Sequence, residues 1–123
     1  MEFDDLSNRV IGAALEVHKN LGAGLLESAY EAALAYELKE RKISFKQQAS
    51  LPVQYKSIVL DCAYRIDLLV ENALIVELKA VEKVLPIHQA QLMTYMKLSD
   101  VKTGLLINFN TKLLKNGIKR VVL

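Results

Sequence analysis

The sequence predicts one α+β domain built on a mixed central sheet, and three observations lead there. Helical periodicity fills the first third of the chain, β alternation replaces it from residue 43, and one helical stretch starting at Pro86 separates the early strands from the late ones. The expected order is α-α-β-β-β-β-α-β-β over residues 1–123, with no internal repeat, low-complexity segment or linker. A chain of 123 residues that is 52% hydrophobic and 24% charged has the balance of a single globular domain and is too short for two. The same balance excludes disorder and collagen.

Residues 6–21 place apolar side chains at Leu6, Val10, Ala14, Val17 and Leu21, with Ile11, Leu15 and His18 widening the stripe. That is an amphipathic helix, with Asp4 or Ser7 as its cap. Gly22-Ala23-Gly24 ends it, because glycine is the usual residue just past a helix terminus. A second helix follows over about residues 26–41, rich in Ala, Leu and Glu, the best helix formers. Residues 43–46 and 51–55 then alternate, while 58–70 and 74–78 are rich in Ile, Val, Leu and Tyr. These make three or four strands, four in the order given above. Pro86 suits a first helical turn, and Ile87, Ala90, Met93 or Thr94, and Met96 or Lys97 follow at helical spacing. Residues 103–109 return as a buried strand and 117–122 as a short last one.

No apolar run approaches the roughly 18 residues of a membrane span, so a bilayer is not expected among the partners. The start, Met1-Glu2-Phe3-Asp4-Asp5, is acidic and lacks the basic-then-apolar layout of a secretory signal, and Cys62 is the only cysteine, so no internal disulfide can form. A reducing cytoplasm fits these features. The net charge of +2 conceals an asymmetry: residues 1–40 hold 3 basic and 8 acidic side chains, residues 41–123 hold 13 and 6. A basic face for a polyanion fits that distribution, and so do solvated Lys and Arg on a strand-rich half.

The window most informative for chemistry is residues 64–79. Asp67 interrupts one apolar strand, and Glu77 and Lys79 interrupt the next. Residues two apart on a strand share a face, so Glu77 and Lys79 project together from the end of a run that otherwise reads as buried. Whether Asp67 joins them depends on hairpin parity. A two-residue turn at Glu71-Asn72 sets Asp67 opposite Val76 and away from Glu77, whereas a three-residue connection, Glu71-Asn72-Ala73, sets it directly opposite Glu77. Facing carboxylates raise each other's pKa unless a cation lies between them, and a hard divalent ion would hold both ionised. The odd connection therefore goes with a functional site, the even one with two strand-end carboxylates pointing apart into water.

Two other stretches stand out. Glu27 and Tyr30 lie three apart beside Leu34, placing a carboxylate on an apolar helix face, although acidic residues are also favoured in a first helical turn. Gln91 and Tyr95 lie one turn apart on the helix after Pro86. His18 and His88 read as packed or hydrogen-bonded residues, since no Cys or second His sits at ligand spacing, which argues against zinc.

A helix with Glu27, a strand with Asp67, a strand with Glu77-x-Lys79 and a helix with Gln91-x-x-x-Tyr95, in this order, resembles the PD-(D/E)xK nuclease superfamily, particularly its RecB-like branch. Gly24-x-x-Glu27-x-x-Tyr30 further resembles the signature of the GxxExxY family, a small bacterial and archaeal group within that superfamily. The likeness runs over nearly the whole chain, through Val17-His18, Pro52-Val53-x-Tyr55-Lys56, Asp67-Leu68-Leu69-Val70, Val76-Glu77-Leu78-Lys79-Ala80 and Gly104-Leu105-Leu106-Ile107-Asn108-Phe109. It departs at Ala23, where many relatives have proline, at Ser57, where glycine often follows Tyr-Lys, and at Tyr64, where many RecB-like enzymes have glycine.

The resemblance implies a restriction-endonuclease-like fold, a central mixed sheet flanked by helices, and a metal-dependent nuclease acting on DNA or RNA. Asp67 and Glu77 would bind Mg²⁺ or Mn²⁺ with the backbone carbonyl of Leu78, and waters would complete an octahedron. Glu27 would reach the same ion through water or bind a second one. Lys79 would orient the attacking water or neutralise the transition state, Gln91 would contact a phosphate or a water on the ion, and Tyr30 and Tyr95 would pack the helices onto the site. General acid–base catalysis supplies only about 10² to 10⁴ in rate, roughly 3 to 5.5 kcal/mol, and phosphodiester cleavage needs far more, so the ion is central. The alternatives are a nucleic-acid-binding or accessory protein without turnover on the same fold, and a plain protein-interaction module. So short a chain leaves little surface for recognition beyond a catalytic core, which points to a homodimer or a partner protein.

Overall fold

The computed structural model describes residues 3–123, apart from the side chains of residues 61–63; Met1, Glu2 and the thiol of Cys62 thus lie outside the described residues. Two helices come first, α1 (Asp5–Leu21) and α2 (Glu27–Glu40), followed by β1 (Phe45–Tyr55), β2 (Ile58–Val70) and β3 (Leu74–Lys79). Helix α3 (Pro86–Ser99) then leads to β4 (Thr103–Asn108), a 3-10 turn (Leu114–Gly117) and β5 (Ile118–Val122). The sheet runs β1-β2-β3-β4-β5, and every neighbouring pair is antiparallel except β3 and β4, which are parallel and joined through α3. Parallel neighbours need such a crossover, which is why the one late helix falls between them.

The α+β mixed sheet is as expected, but its strands number five among the described residues rather than six. Residues 43–46 and 51–55 do not form separate strands: Phe45–Tyr55 pairs with β2 almost throughout, with a register shift between Leu51 and Val53. The shift falls at Pro52, whose nitrogen has no hydrogen for the ladder. The apolar alternation lapses at Gln47, an exposed polar residue between the partly buried Phe45 and Ala49, and that lapse imitates a strand break.

Helices cover both faces. Val10, Ala14, Val17, Tyr30, Leu34 and Leu38 from α1 and α2 pack on Leu74, Val76, Leu78, Leu105 and Ile107, while Leu92 and Met96 from α3 pack on Ile75 and Leu106. Since side chains alternate along a strand, β3 sends Leu74, Val76 and Leu78 to the first pair of helices and leaves the other parity, Glu77 and Lys79 included, on the α3 side. Helix α3 rests directly on β4: a Cβ at Gly104 would stand 2.7 Å from the sulfur of Met96. Among the described residues no helix is long and apolar enough to cross a membrane.

Asp4, not Ser7, caps α1. The Asp4 carboxylate accepts from the Ser7 backbone N–H (3.0 Å) and the buried Ser7 hydroxyl (2.7 Å), and the Arg120 guanidinium on β5 donates to it at 2.7 Å. Burial pulls its pKa upward, but the Ser7 hydrogen bonds and Arg120 outweigh that and hold it at about 2. Asp4→Ala removes the cap and orphans a buried hydroxyl, so thermal melts should show a loss of about 1–2 kcal/mol at neutral pH. Because the folded-state value lies below the ordinary 3.8, this contribution is complete above about pH 4 and fades as pH falls toward 2. A variant as stable as the parent at pH 7 would show that the cap contributes nothing.

Candidate active site

The β2–β3 hairpin decides which residues meet. Its register pairs Val70 with Leu74, Leu69 with Ile75 and Leu68 with Val76, so the connection is the three-residue Glu71-Asn72-Ala73 and the next opposed pair is Asp67 and Glu77. Glu71 and Asn72 both adopt left-handed backbone, φ 52° and 54°, to close this turn. Beyond Leu68 the ladder's backbone partners are replaced by side chains. The Asp67 N–H donates to Glu77 Oε2 at 3.1 Å, and the Leu78 N–H donates to Asp67 Oδ2 at 2.9 Å. Each carboxylate reaches across to the other's strand and accepts a backbone N–H there.

The arrangement crowds two acidic groups in a largely dry place. Glu77 is buried, at 6% exposure. Burial first, then hydrogen bonding with Asp67 and its charge, push the Glu77 pKa up to about 9, and Lys79 nearby does not offset them. Without a cation Glu77 therefore keeps a proton near neutral pH. Lys79 is half-buried on the same face of β3 as Glu77, and Leu78 brings its backbone to the pair through the N–H just described.

Glu27 arrives from the opposite side of the sheet. It is the first residue of α2 and half-buried; burial raises its pKa, Lys79 draws it down, and Asp67 and Glu31 push it up. It shares the electrostatic neighbourhood of Asp67 and Lys79, yet among the described residues no three His, Cys, Asp or Glu side chains form a group that would enclose one ion. Asp67 and Glu77 stand together; Glu27 stands at a remove from them.

The spacing Gly24-x-x-Glu27-x-x-Tyr30 has a structural reason. Gly22 and Gly24 take φ values of 68° and 98°, a region side chains rarely adopt. The Tyr30 hydroxyl donates to the Gly22 carbonyl at 2.6 Å and accepts from the Leu25 N–H at 3.1 Å, while its ring stacks on Phe109 with centroids 4.5 Å apart. Tyr30 thus latches the glycine loop to the core and determines where α2, and with it Glu27, begins.

On the other face, α3 supplies Gln91 and Tyr95. Tyr95 is buried and its pKa is raised, by burial first and then by Glu77, Tyr64 and Asp67, which places its hydroxyl near the acidic pair. Gln91 is exposed and, with Lys79 and Tyr95, lines a cleft of about 530 Å³. A larger groove of about 780 Å³ between α2 and β1, lined by Tyr36, Lys39, Lys42 and Phe45 among others, contains none of these residues and lies apart from the chemistry. The histidines are held as hydrogen-bonded residues: His88 Nδ1 accepts from the Leu85 N–H at 3.0 Å, and His18 Nε2 bonds the Thr111 carbonyl at 2.8 Å.

Two participants went unrecognised in the sequence. Gln48, flanked by the pairs Gln47–Leu68 and Ala49–Ile66, lies opposite Asp67 and adopts a left-handed φ of 52°. Its amide donates to Asp67 Oδ1 at 3.2 Å and to Glu31 Oε1 at 2.7 Å, tying α2 to the site. Glu31 also accepts from Gln47 at 2.8 Å. The only signal was a polar Gln47-Gln48 pair between two apolar alternations, which reads more simply as a break.

The Asp67–Glu77 pair fits a hard divalent cation. Its donors are carboxylate oxygens beside a backbone peptide, and its unfavourable crowding is what a positive charge between them would relieve. A family model described as PD-(D/E)XK nuclease superfamily matches residues 4–121. No curated protein and no solved structure matches the chain.

Proposed function

The chain belongs to the PD-(D/E)XK nuclease superfamily, whose enzymes generally use divalent metal ions, and from that membership we propose that it is a metal-dependent nuclease hydrolysing phosphodiester bonds of DNA or RNA. The observation that supports this most is the pair of opposed carboxylates, Asp67 and Glu77, beside the ammonium of Lys79. Asp67 and Glu77 would hold Mg²⁺ or Mn²⁺, with the Leu78 backbone carbonyl as a further ligand and Glu27 assisting through water. Such an ion supplies Lewis-acid stabilisation of phosphate charge and a nucleophile at neutral pH.

The remaining steps fall to the chain's own groups. Lys79 orients the attacking water and offsets negative charge developing on the phosphate. Gln91, at the rim of the cleft, donates its amide to a phosphate oxygen. Tyr95 shields the carboxylates from solvent on the α3 side, which strengthens every electrostatic contact inside. Gln48 orients Asp67, and Tyr30 keeps Glu27 in place.

The test is a cleavage screen of purified protein on single-stranded, double-stranded and structured DNA and RNA with Mg²⁺ or Mn²⁺. Product should form with metal, vanish on chelation, and vanish in Lys79→Ala. Cleavage that resists chelator, or an equally active Lys79→Ala, would refute the assignment. The uneven charge of the chain favours one second reading, a nucleic-acid-binding protein without turnover. Its mark is an affinity that weakens steeply with salt and no product in either metal.

A further inference from the structure

The cleft of about 530 Å³ shares Lys79 with the carboxylate site, and its other walls are not explained by phosphate chemistry. Tyr64 and Tyr95 line it together with the apolar side chains of Val53 and Ile87. The volume is that of a small-molecule site, commonly about 300–1,000 Å³. Tyr64 remains 45% exposed and Ile87 65%. The Tyr64 ring meets that of the buried Tyr95 edge-on, at 6.2 Å and 61°, so it is braced from one side. An aromatic held in this way, three residues from Asp67, offers a π-surface to whatever flat group enters beside Lys79.

We propose that this cleft is a nucleobase subsite, in which Tyr64 stacks on an unpaired base next to the phosphate that pairs with Lys79 beside the Asp67–Glu77 pair. The inference rests on the nuclease reading for the position of that phosphate, and it names the substrate class: single-stranded or splayed nucleic acid in place of intact duplex. In a duplex both faces of a base are already stacked, so only an unpaired base can present its face to Tyr64. Lys79 serves both halves of the site, its ammonium toward the phosphate and its stem along the cleft wall.

Fluorescence anisotropy in chelator, with single-stranded DNA, single-stranded RNA and blunt duplex DNA of equal length, tests this without turnover. At least one single strand should bind about tenfold more tightly than the duplex. Tyr64→Ala should weaken that single-strand binding roughly tenfold and leave duplex binding unchanged, while Tyr64→Phe retains it. A 2-aminopurine base in the strand should lose emission on binding the parent but not Tyr64→Ala, and Ile87→Glu, at a residue that also lines the cleft, should weaken the single strand likewise. Equal affinity for single strand and duplex, or a Tyr64→Ala effect that is absent or the same on both, would overturn the subsite. Metal-dependent cleavage with no Tyr64 effect removes the subsite and leaves the nuclease reading standing. Tyr64-dependent single-strand binding with no product in Mg²⁺ or Mn²⁺ supports the subsite and removes that reading.

Discussion

Glu77→Gln is expected to abolish metal-dependent cleavage, by about 10³-fold or more, while leaving the metal-free protein at least as stable as the parent at pH 8. The two effects have opposite signs for one physical reason. Glu77 sits buried against Asp67 with its pKa pushed up to about 9, so the metal-free fold already prefers it neutral. A glutamine supplies that neutral form permanently, keeps an oxygen to accept from the Asp67 N–H, and offers an amide hydrogen to the Asp67 carboxylate. A hard cation requires the charged form, which glutamine cannot provide. Asp67→Ala should abolish cleavage equally, but at a cost in stability, because the Leu78 N–H loses its acceptor. Cleavage assays paired with thermal melts check both; an active Glu77→Gln protein, or one that melts well below the parent at pH 8, would contradict this account.

The second large effect is on pH dependence. The folded-state pKa of Glu77, about 9, lies above its ordinary value of 4.5, so between these two values the folded chain binds a proton that the unfolded chain releases. The associated stability is fully present below about pH 4.5 and is lost as pH rises toward 9. The metal-free parent should therefore melt several degrees lower at pH 9 than at pH 6, and Glu77→Gln should lose most of that difference. Mg²⁺ or Mn²⁺ binds the deprotonated pair, so added metal should raise the melting temperature of the parent more at pH 9 than at pH 6. At 100 times its dissociation constant an ion binding only the folded state adds about 2.7 kcal/mol. A parent whose melting temperature ignores both pH and metal over this range would remove the ion from the Asp67–Glu77 pair.

Much of this architecture was legible residue by residue. The stripe from Leu6 to Leu21, Pro86 opening α3, and the buried run beginning at Thr103 each predict an element that the fold contains. Glu77 and Lys79 declared a common face through their spacing alone. The strand count was not legible, because Gln47 and Gln48 interrupt the apolar alternation, although Gln47 pairs with Leu68 and the ladder resumes at Ala49 with Ile66.

By itself, then, the sequence determined which elements form, their order, and which side chains carry charge into an apolar setting. These are local properties, set by periodicity and by residue type. Only the tertiary structure decided that Asp67 faces Glu77, since that follows from a three-residue connection with Glu71 and Asn72 in left-handed backbone, and neither side chain dictates it. It alone also brought Gln48 opposite Asp67 and Tyr64 onto Tyr95. Such contacts are settled by register and packing between distant segments, where a slip of one residue would turn every side chain to the other face.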